Sequence, residues 1–232
     1  MGSIRKQTIV SSILVYFGFF IGAVNLFFYT KIGSNHGAFS LEQFGLTRIF
    51  FDFAQNMYSF GSLGIIPVIY KFYPYYKDNL AKQQIDLMTW SMVTALVGFI
   101  LVVFAGYFFQ PIFLHQYQSR STLMITYYYW MFPFALGMLL FSVLEGFCWA
   151  LQKTVISNFL KETGLRLVTF LFILLFYFKL ISFALFIKLF AFLYLIIFLV
   201  LIIFLITTNQ LHFSFTVSRV TKKFRKKMLS MQ

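Results

Sequence analysis

Acidic residues are scarce in this 232-residue chain. Six Asp+Glu stand against 19 Lys+Arg, and charged residues of both signs make up 11% of the sequence. A soluble domain carries about 25% charged residues, so too few are present to cover a water-facing surface. Cysteine occurs once, as Cys148. A lone cysteine excludes an intramolecular disulfide, a CxxC redox pair and a thiolate metal site, and its place in an apolar run reads as a small apolar filler. Disorder is excluded as well, because 60% of the residues are hydrophobic. What is abundant instead is Phe, at 35 copies more numerous than all charged residues together, and the mean hydropathy is +0.83. This is the composition of an all-α integral membrane protein. At about 20 residues per crossing, the length allows roughly six transmembrane helices.

Catalytic signatures are missing too. There is no HExxH, no GxSxG and no P-loop, and His36, His115 and His212 fall in predicted loops or the tail. No catalytic set, metal site or cofactor is expected, and the chain does not read as an enzyme. The net charge of +13 would suggest nucleic acid only on a solvated face. Here the bases fall mostly between apolar runs, so no nucleic-acid partner is expected.

The first apolar run, about Thr8 to Phe28, follows Arg5 and Lys6. It exceeds the apolar region of a cleaved signal peptide, about 7–15 residues, and reads as an uncleaved helix. Further runs lie within Leu46–Tyr70, Met88–Phe109 and Thr122–Leu151. The last, Ser157 to Thr207, is too long for one crossing and is expected to fold back at a tight turn around Lys179. Residues 1–207 thus read as a six-helix lobe, and 208–232 as a basic tail. Unbroken apolar runs argue against a β-barrel, whose strands are short and alternating.

Basic residues set the expected orientation. With the N-terminus cytoplasmic, the inner segments hold Arg5, Lys6, Lys71, Lys77, Lys82 and Lys153, and the tail adds Arg219, Lys222, Lys223, Arg225, Lys226 and Lys227. The outer loops hold only Lys31, Arg120 and Lys179. Both termini are expected inside.

Polar residues within the apolar runs are the candidate functional ones, since a central charge costs about 2.5–3.5 kcal/mol on insertion scales. Arg48, Asp52, Gln55 and Ser59, with Asn56 alongside, recur at helical spacing in the second run. They read either as a cavity wall or as a self-neutralising Arg48–Asp52 ion pair. Asn158, Glu162 and Arg166 repeat the pattern in the fifth, beside Lys161. Glu145 is an acid among apolar residues of the fourth, open between an interfacial acid, an ion pair and a coupling group. Lys188 stands alone in the sixth and is expected to snorkel. Ser11, Gly18, Gly22 and Asn25 form a stripe on the first helix. Its G-x-x-x-G suits close helix packing, and Asn25 suits an interhelical hydrogen bond or a cavity.

The stretch Leu41-Glu-Gln-Phe-Gly-Leu-Thr-Arg48 resembles the E-x-[YF]-G segment that opens the second helix of the bacterial polysaccharide flippases. Gly61-Ser-Leu-Gly64 resembles their small-residue turn, and Tyr70-Lys-Phe-Tyr-Pro-Tyr-Tyr-Lys-Asp78 their aromatic-Pro-basic loop. Leu144-Glu-Gly-Phe-Cys-Trp-Ala-Leu-Gln-Lys-Thr-Val-Ile-Ser-Asn158 is similar to their fourth-to-fifth helix junction. That family belongs to the multidrug/oligosaccharidyl-lipid/polysaccharide (MATE-like) superfamily. The resemblance implies two lobes joined by a basic linker, in the bacterial inner membrane, flipping polyprenyl-pyrophosphate-linked oligosaccharides for polysaccharide biosynthesis. It implies pyrophosphate-holding cations, which map onto Arg48 and Arg166. Lys161, Asn25, Gln55 and Asn56 are the remaining candidate substrate contacts, and Asp52, Glu145 and Glu162 the candidate coupling or ion-pair acids. Members are about twice this length, and this chain ends just after Lys222-Lys-Phe-Arg-Lys-Lys227. It therefore resembles an N-terminal half that needs a second lobe or second copy. A drug or toxin antiporter on the same fold, and a non-transporting membrane assembly subunit or inactive fragment, are the rival expectations.

Overall fold

The computed structural model describes the backbone of residues 2–30, 39–117 and 122–231, with side chains from residue 8 onward except those of Gln116 and Tyr117. The expectations for Lys31, His36 and Arg120, and for the side chains of Arg5 and Lys6, lie outside the described residues. All regular structure among them is helical: α1 Gly2–Thr30, α2 Leu41–Gly61, α3 Ile65–Asn79, α4 Leu87–Tyr117, α5 Thr122–Tyr127, α6 Met131–Ala150, α7 Thr154–Asn158, α8 Leu165–Tyr177, α9 Phe183–Ala191, α10 Leu193–Thr207 and α11 Arg219–Leu229. A 3₁₀ turn, Tyr128–Trp130, joins α5 to α6, and a π turn, Phe159–Gly164, joins α7 to α8.

Among the described residues four helical stretches are long and apolar enough to cross a membrane: Thr8–Thr30, Lys82–His115, Thr122–Ala150 and Phe183–Thr207. The chain is a multi-pass membrane protein by that measure. The two further crossings expected from sequence correspond to α2 and the α7–α8 segment. Both are helical, and both carry the charged stripes that lower their hydropathy.

Helix α6 is the axis of the bundle. It packs against α10, α2, α3 and α4, and most of its residues, Cys148 included, are buried. By contrast α1 and α4 expose Phe17, Phe20, Leu101 and Phe108 along their lengths. Lipid tails are as apolar as leucine, so association inside the bundle must come from close packing rather than water exclusion. Two features supply it. Phe134 of α6 stacks on Phe190 at 5.3 Å and meets the edge of Tyr194 at 5.1 Å. Gly137 lets α10 approach so closely that a Cβ there would lie 2.6 Å from the Leu195 nitrogen.

The second apolar run breaks at Ser62–Gly64, where Leu63 and Gly64 both take positive φ (45° and 66°). The aromatic-Pro-basic stretch that follows is helix, not loop: α3 continues through Pro74 to Asn79. Likewise His115 lies in the last turn of α4 rather than in a loop. The tight turn expected at Lys179 is present, and Lys179 is left-handed at φ 58°. Its N–H donates to Phe176 O and that of Leu180 to Leu175 O, both at 2.9 Å, the hydrogen-bond pair of a Schellman cap. Glycine is the residue that occupies this conformation without Cβ strain. Lys179→Gly should therefore stabilise the protein by about 0.5–1 kcal/mol, read as a raised melting temperature in detergent.

Helix ends sort into two groups. At one end, Ser11 of α1 accepts from Asn158 of α7 at 3.0 Å. There Lys82, Leu151 and Gln210 line one small cavity, which joins the start of α4 to the ends of α6 and α10. At the opposite end, Tyr29 meets Phe39 at 4.8 Å and Phe39 meets Phe176 at 4.4 Å. There too the Leu123 N–H donates to Glu42 at 3.2 Å.

The basic tail is not a free appendage. Ser218 caps α11 by accepting from the Thr221 N–H. Asp86, fully buried just before α4, accepts from the Ser218 N–H at 2.9 Å and the Thr221 hydroxyl at 2.7 Å. The Tyr76 hydroxyl lies 2.7 Å from that of Thr221, and burial pushes it up to about 12, so it stays neutral.

Candidate functional site

The stripe Ser11, Gly18, Gly22, Asn25 is the face α1 turns toward the α7–α8 segment. Gly18 seats the Glu162 backbone carbonyl, which a Cβ at that position would overlap. Gly22 seats the Arg166 side chain, whose Cδ and Nε would lie 3.2 Å from a Cβ there. Asn25 donates from Nδ2 to the Arg166 carbonyl at 2.9 Å, and the Thr163 hydroxyl donates back to Leu14 O at 2.7 Å. The G-x-x-x-G is thus a packing motif that also fixes a cation.

The π turn sets where the charges point. Five-residue turns widen the helix and shift its side chains relative to α-helical spacing. Glu162 still meets Arg166, at 3.0 Å from Oε2 to Nη2. Lys161 is aimed elsewhere, across to α6, where its Nζ lies 3.1 and 3.0 Å from the two carboxylate oxygens of Glu145. The Glu145 side chain is only 8% exposed and that of Lys161 43%. The ion-pair reading of Glu145 and Glu162 is the one their geometry fits.

A cavity of about 300 Å³ opens between α1, α2, the α7–α8 segment and the α9–α10 helix. Arg48, Lys161 and Arg166 reach it as cations, Glu162 as the one carboxylate, and Asn25, Tyr29, Thr47, Thr169 and Tyr194 as neutral polar groups. Arg166 also lies over the Phe19 ring at 4.8 Å, and Arg48 over Phe44 at 5.0 Å. Three polar atoms beside the cavity, Arg166 Nη1, Asn25 Oδ1 and the Tyr29 hydroxyl, are buried without a hydrogen-bond partner. Buried guanidinium donors that lack an acceptor are costly, and an anion entering the cavity would supply one.

The structure brings together Arg48, Arg166, Lys161, Asn25 and Glu162, and places Glu145 one ion pair away. It does not bring in the rest of the α2 stripe. Asp52, Gln55 and Asn56 are exposed and outside the cavity lining, with Asn56 donating to its own helix at Asp52 O. Arg48 and Asp52 form no ion pair; the pairs among the described residues are the two on the α7–α8 segment. Lys188 is exposed, its Nζ 5.5 Å from the Trp130 ring. Sequence reasoning missed Tyr29, Thr47, Thr169 and Tyr194. Tyr194 had a signal, a hydroxyl inside an otherwise apolar run. Among the described residues no group of three or more His, Cys, Asp or Glu is placed to hold a metal ion.

No protein-family model, curated protein or solved structure matches this chain.

Proposed function

We propose that this chain is one lobe of a bacterial inner-membrane flippase for lipid-pyrophosphate-linked oligosaccharides. In this reading six helical passes cross the membrane, with both termini cytoplasmic. The observation that carries it is the cavity chemistry: Arg48, which has no carboxylate partner among the described residues, beside the paired Lys161 and Arg166, with an Arg166 Nη1 donor lacking an acceptor. A pyrophosphate offers the paired oxygens that guanidinium groups bind bidentately, and a low-dielectric site strengthens each contact. Its polyprenyl tail remains in lipid beside the exposed apolar face of α1. The sequence resemblance points to the same two arginines. The segments expected inside also share one end of the bundle, which supports the orientation.

The lobe would rock against a second lobe about this cavity, exposing it to each side of the membrane in turn. A single lobe supplies one wall, and the exposed Asp52–Gln55–Asn56 face is where the other would sit. Transport therefore needs a partner lobe or second copy. A drug antiporter would need an acid open to a cationic substrate, and Glu162 is already engaged by Arg166.

The test is binding and flipping of a fluorescent polyprenyl-pyrophosphate oligosaccharide by the 232-residue protein in liposomes. Binding without flipping is expected. Arg166→Gln and Arg48→Gln should each weaken binding by at least about tenfold, the loss of one charge-assisted contact. Tighter binding of a lipophilic cation than of the pyrophosphate lipid would favour the antiporter. Flipping by this chain alone would overturn the half-transporter reading.

A further inference from the structure

Helix α11 is basic on every face but one. It holds Arg219, Lys222, Lys223, Arg225, Lys226 and Lys227 and no acid. Val220, Phe224 and Met228, four residues apart, form the single apolar face. Val220 and Met228 are buried, and Phe224 packs on Tyr75 and Phe72 of α3 at 5.0 and 5.4 Å. Among the described residues no carboxylate pairs with any of the six bases. An unshielded cluster of this kind repels itself unless a polyanion covers it.

The helix is held in place rather than trailing. Asp86 grips its first turn, and Asp86 immediately precedes α4, part of a candidate membrane span. The connection from α10 passes the same point, where the Ser214 N–H donates to the Thr89 hydroxyl at 3.0 Å. Two spans therefore reach the membrane surface beside α11, at the level of lipid headgroups. Phe213, Phe215, Val217 and Leu229, on either side of the basic run, are exposed. Bases flanked by exposed apolar side chains are the composition of a helix lying in the interface.

A cavity of about 300 Å³ separates α11 from α3. Arg219 and Lys223, one turn apart, form one wall; Tyr75 and Asn79 form the other, over a floor of Leu80, Val220 and Phe224. The volume suits a phosphate with its glycerol, the two bases match its charge, and the floor matches the start of the acyl chains. We infer that α11 is a membrane-surface helix whose Arg219–Lys223 cavity holds the headgroup of an anionic phospholipid. This site lies at the membrane surface, apart from the transport cavity, and rests only on the chain being a membrane protein.

The experiment titrates the delipidated full chain in detergent with phosphatidylglycerol and with phosphatidylcholine, counting bound lipid by native mass spectrometry. Phosphatidylglycerol should bind at least about tenfold more tightly, since each base near an anionic headgroup contributes severalfold. R219Q/K223Q should abolish the preference. K226Q/K227Q, which removes the same charge outside the cavity, should keep most of it, as should R219K. All four replaced side chains are exposed, and melting temperature checks that each variant folds. Equal binding of the two lipids overturns the inference, and so does an equal loss in both double variants. Displacement of the lipid by millimolar inorganic phosphate, or tighter binding of a single-stranded oligonucleotide through the same two residues, overturns it as well.

Discussion

Lys161→Ala should destabilise this protein by about 2 kcal/mol, the cost of leaving a buried acceptor without its partner in a pair that is itself only half-buried. The lysine side chain is 43% exposed and its partner Glu145 only 8%. Deleting the lysine therefore strands a carboxylate that water cannot reach. Glu145→Gln strands a lysine that can turn to the cavity, and should cost about 1 kcal/mol, near the value of a single lost hydrogen bond. The double variant Lys161→Ala with Glu145→Leu should recover most of the loss, because it removes the stranded charge and leaves an apolar side chain among apolar neighbours. Thermal unfolding of the three variants in one detergent measures all three values. If the single lysine variant proves no less stable than the double, the pair does not hold α6 to the π turn.

Gly18→Ala should be nearly as damaging, at about 1–3 kcal/mol, although it adds only one carbon. That carbon would overlap the Glu162 carbonyl, which is backbone and cannot rotate away. Relief would need α1 to move off the α7–α8 segment. The movement would break the Asn25–Arg166 and Thr163–Leu14 hydrogen bonds and shift Arg166 in the cavity. Gly45→Ala is the matched control. A Cβ at Gly45 would meet nothing within 4 Å, so helix propensity alone should make it neutral to about 1 kcal/mol stabilising. Ligand affinity separates stability from site geometry. If the chain acts as proposed, Gly18→Ala should weaken pyrophosphate-lipid binding even at temperatures where it stays folded. Unchanged stability and unchanged binding together would mean that α1 and α8 approach less closely than described.

Much of this arrangement was legible because it follows local rules. Apolar run lengths located the helices, the surplus length of the last run required a turn near Lys179, and the i, i+4, i+7 spacing of α1 marked its packing face. Arg48 and Arg166 stood out because charge in an apolar run demands a reason. The π turn was hidden: it is one residue of register, and the segment that carries it bonds to α1 far away in sequence, as Thr163 does to Leu14 (separated by 149). Lys161, adjacent in sequence to Glu162, points about a quarter-turn away from it and meets Glu145. The α2 stripe was only half informative, since helical spacing shows that polar groups share a side but not which stretch of it a neighbour covers. Asp86 drew no attention because it lies between apolar runs. Its importance comes from Ser218 and Thr221, more than 130 positions downstream. Helix α3 was obscured by Pro74, which propensity alone treats as a break.

The charged stripes of α2 and the α7–α8 segment also bear on how the chain is made. A translocon judges each segment as it emerges, and Arg48 and Asp52 together weigh about 5–7 kcal/mol against leaving α2 in lipid at full depth. Its principal neighbour, α6, is synthesised about 70 residues later, so at about 5–20 residues per second the ribosome needs roughly 4–14 seconds to deliver it. During that interval α2 would wait at the translocon or at the membrane surface with α1 and the emerging α3 and α4. In the proposed six-pass topology, lateral entry of α2 is then a joint event with α4 and α6. Nascent chains halted before residue 131 should leave α2 extractable by alkali, whereas chains extended beyond Ala150 should hold it in the bilayer.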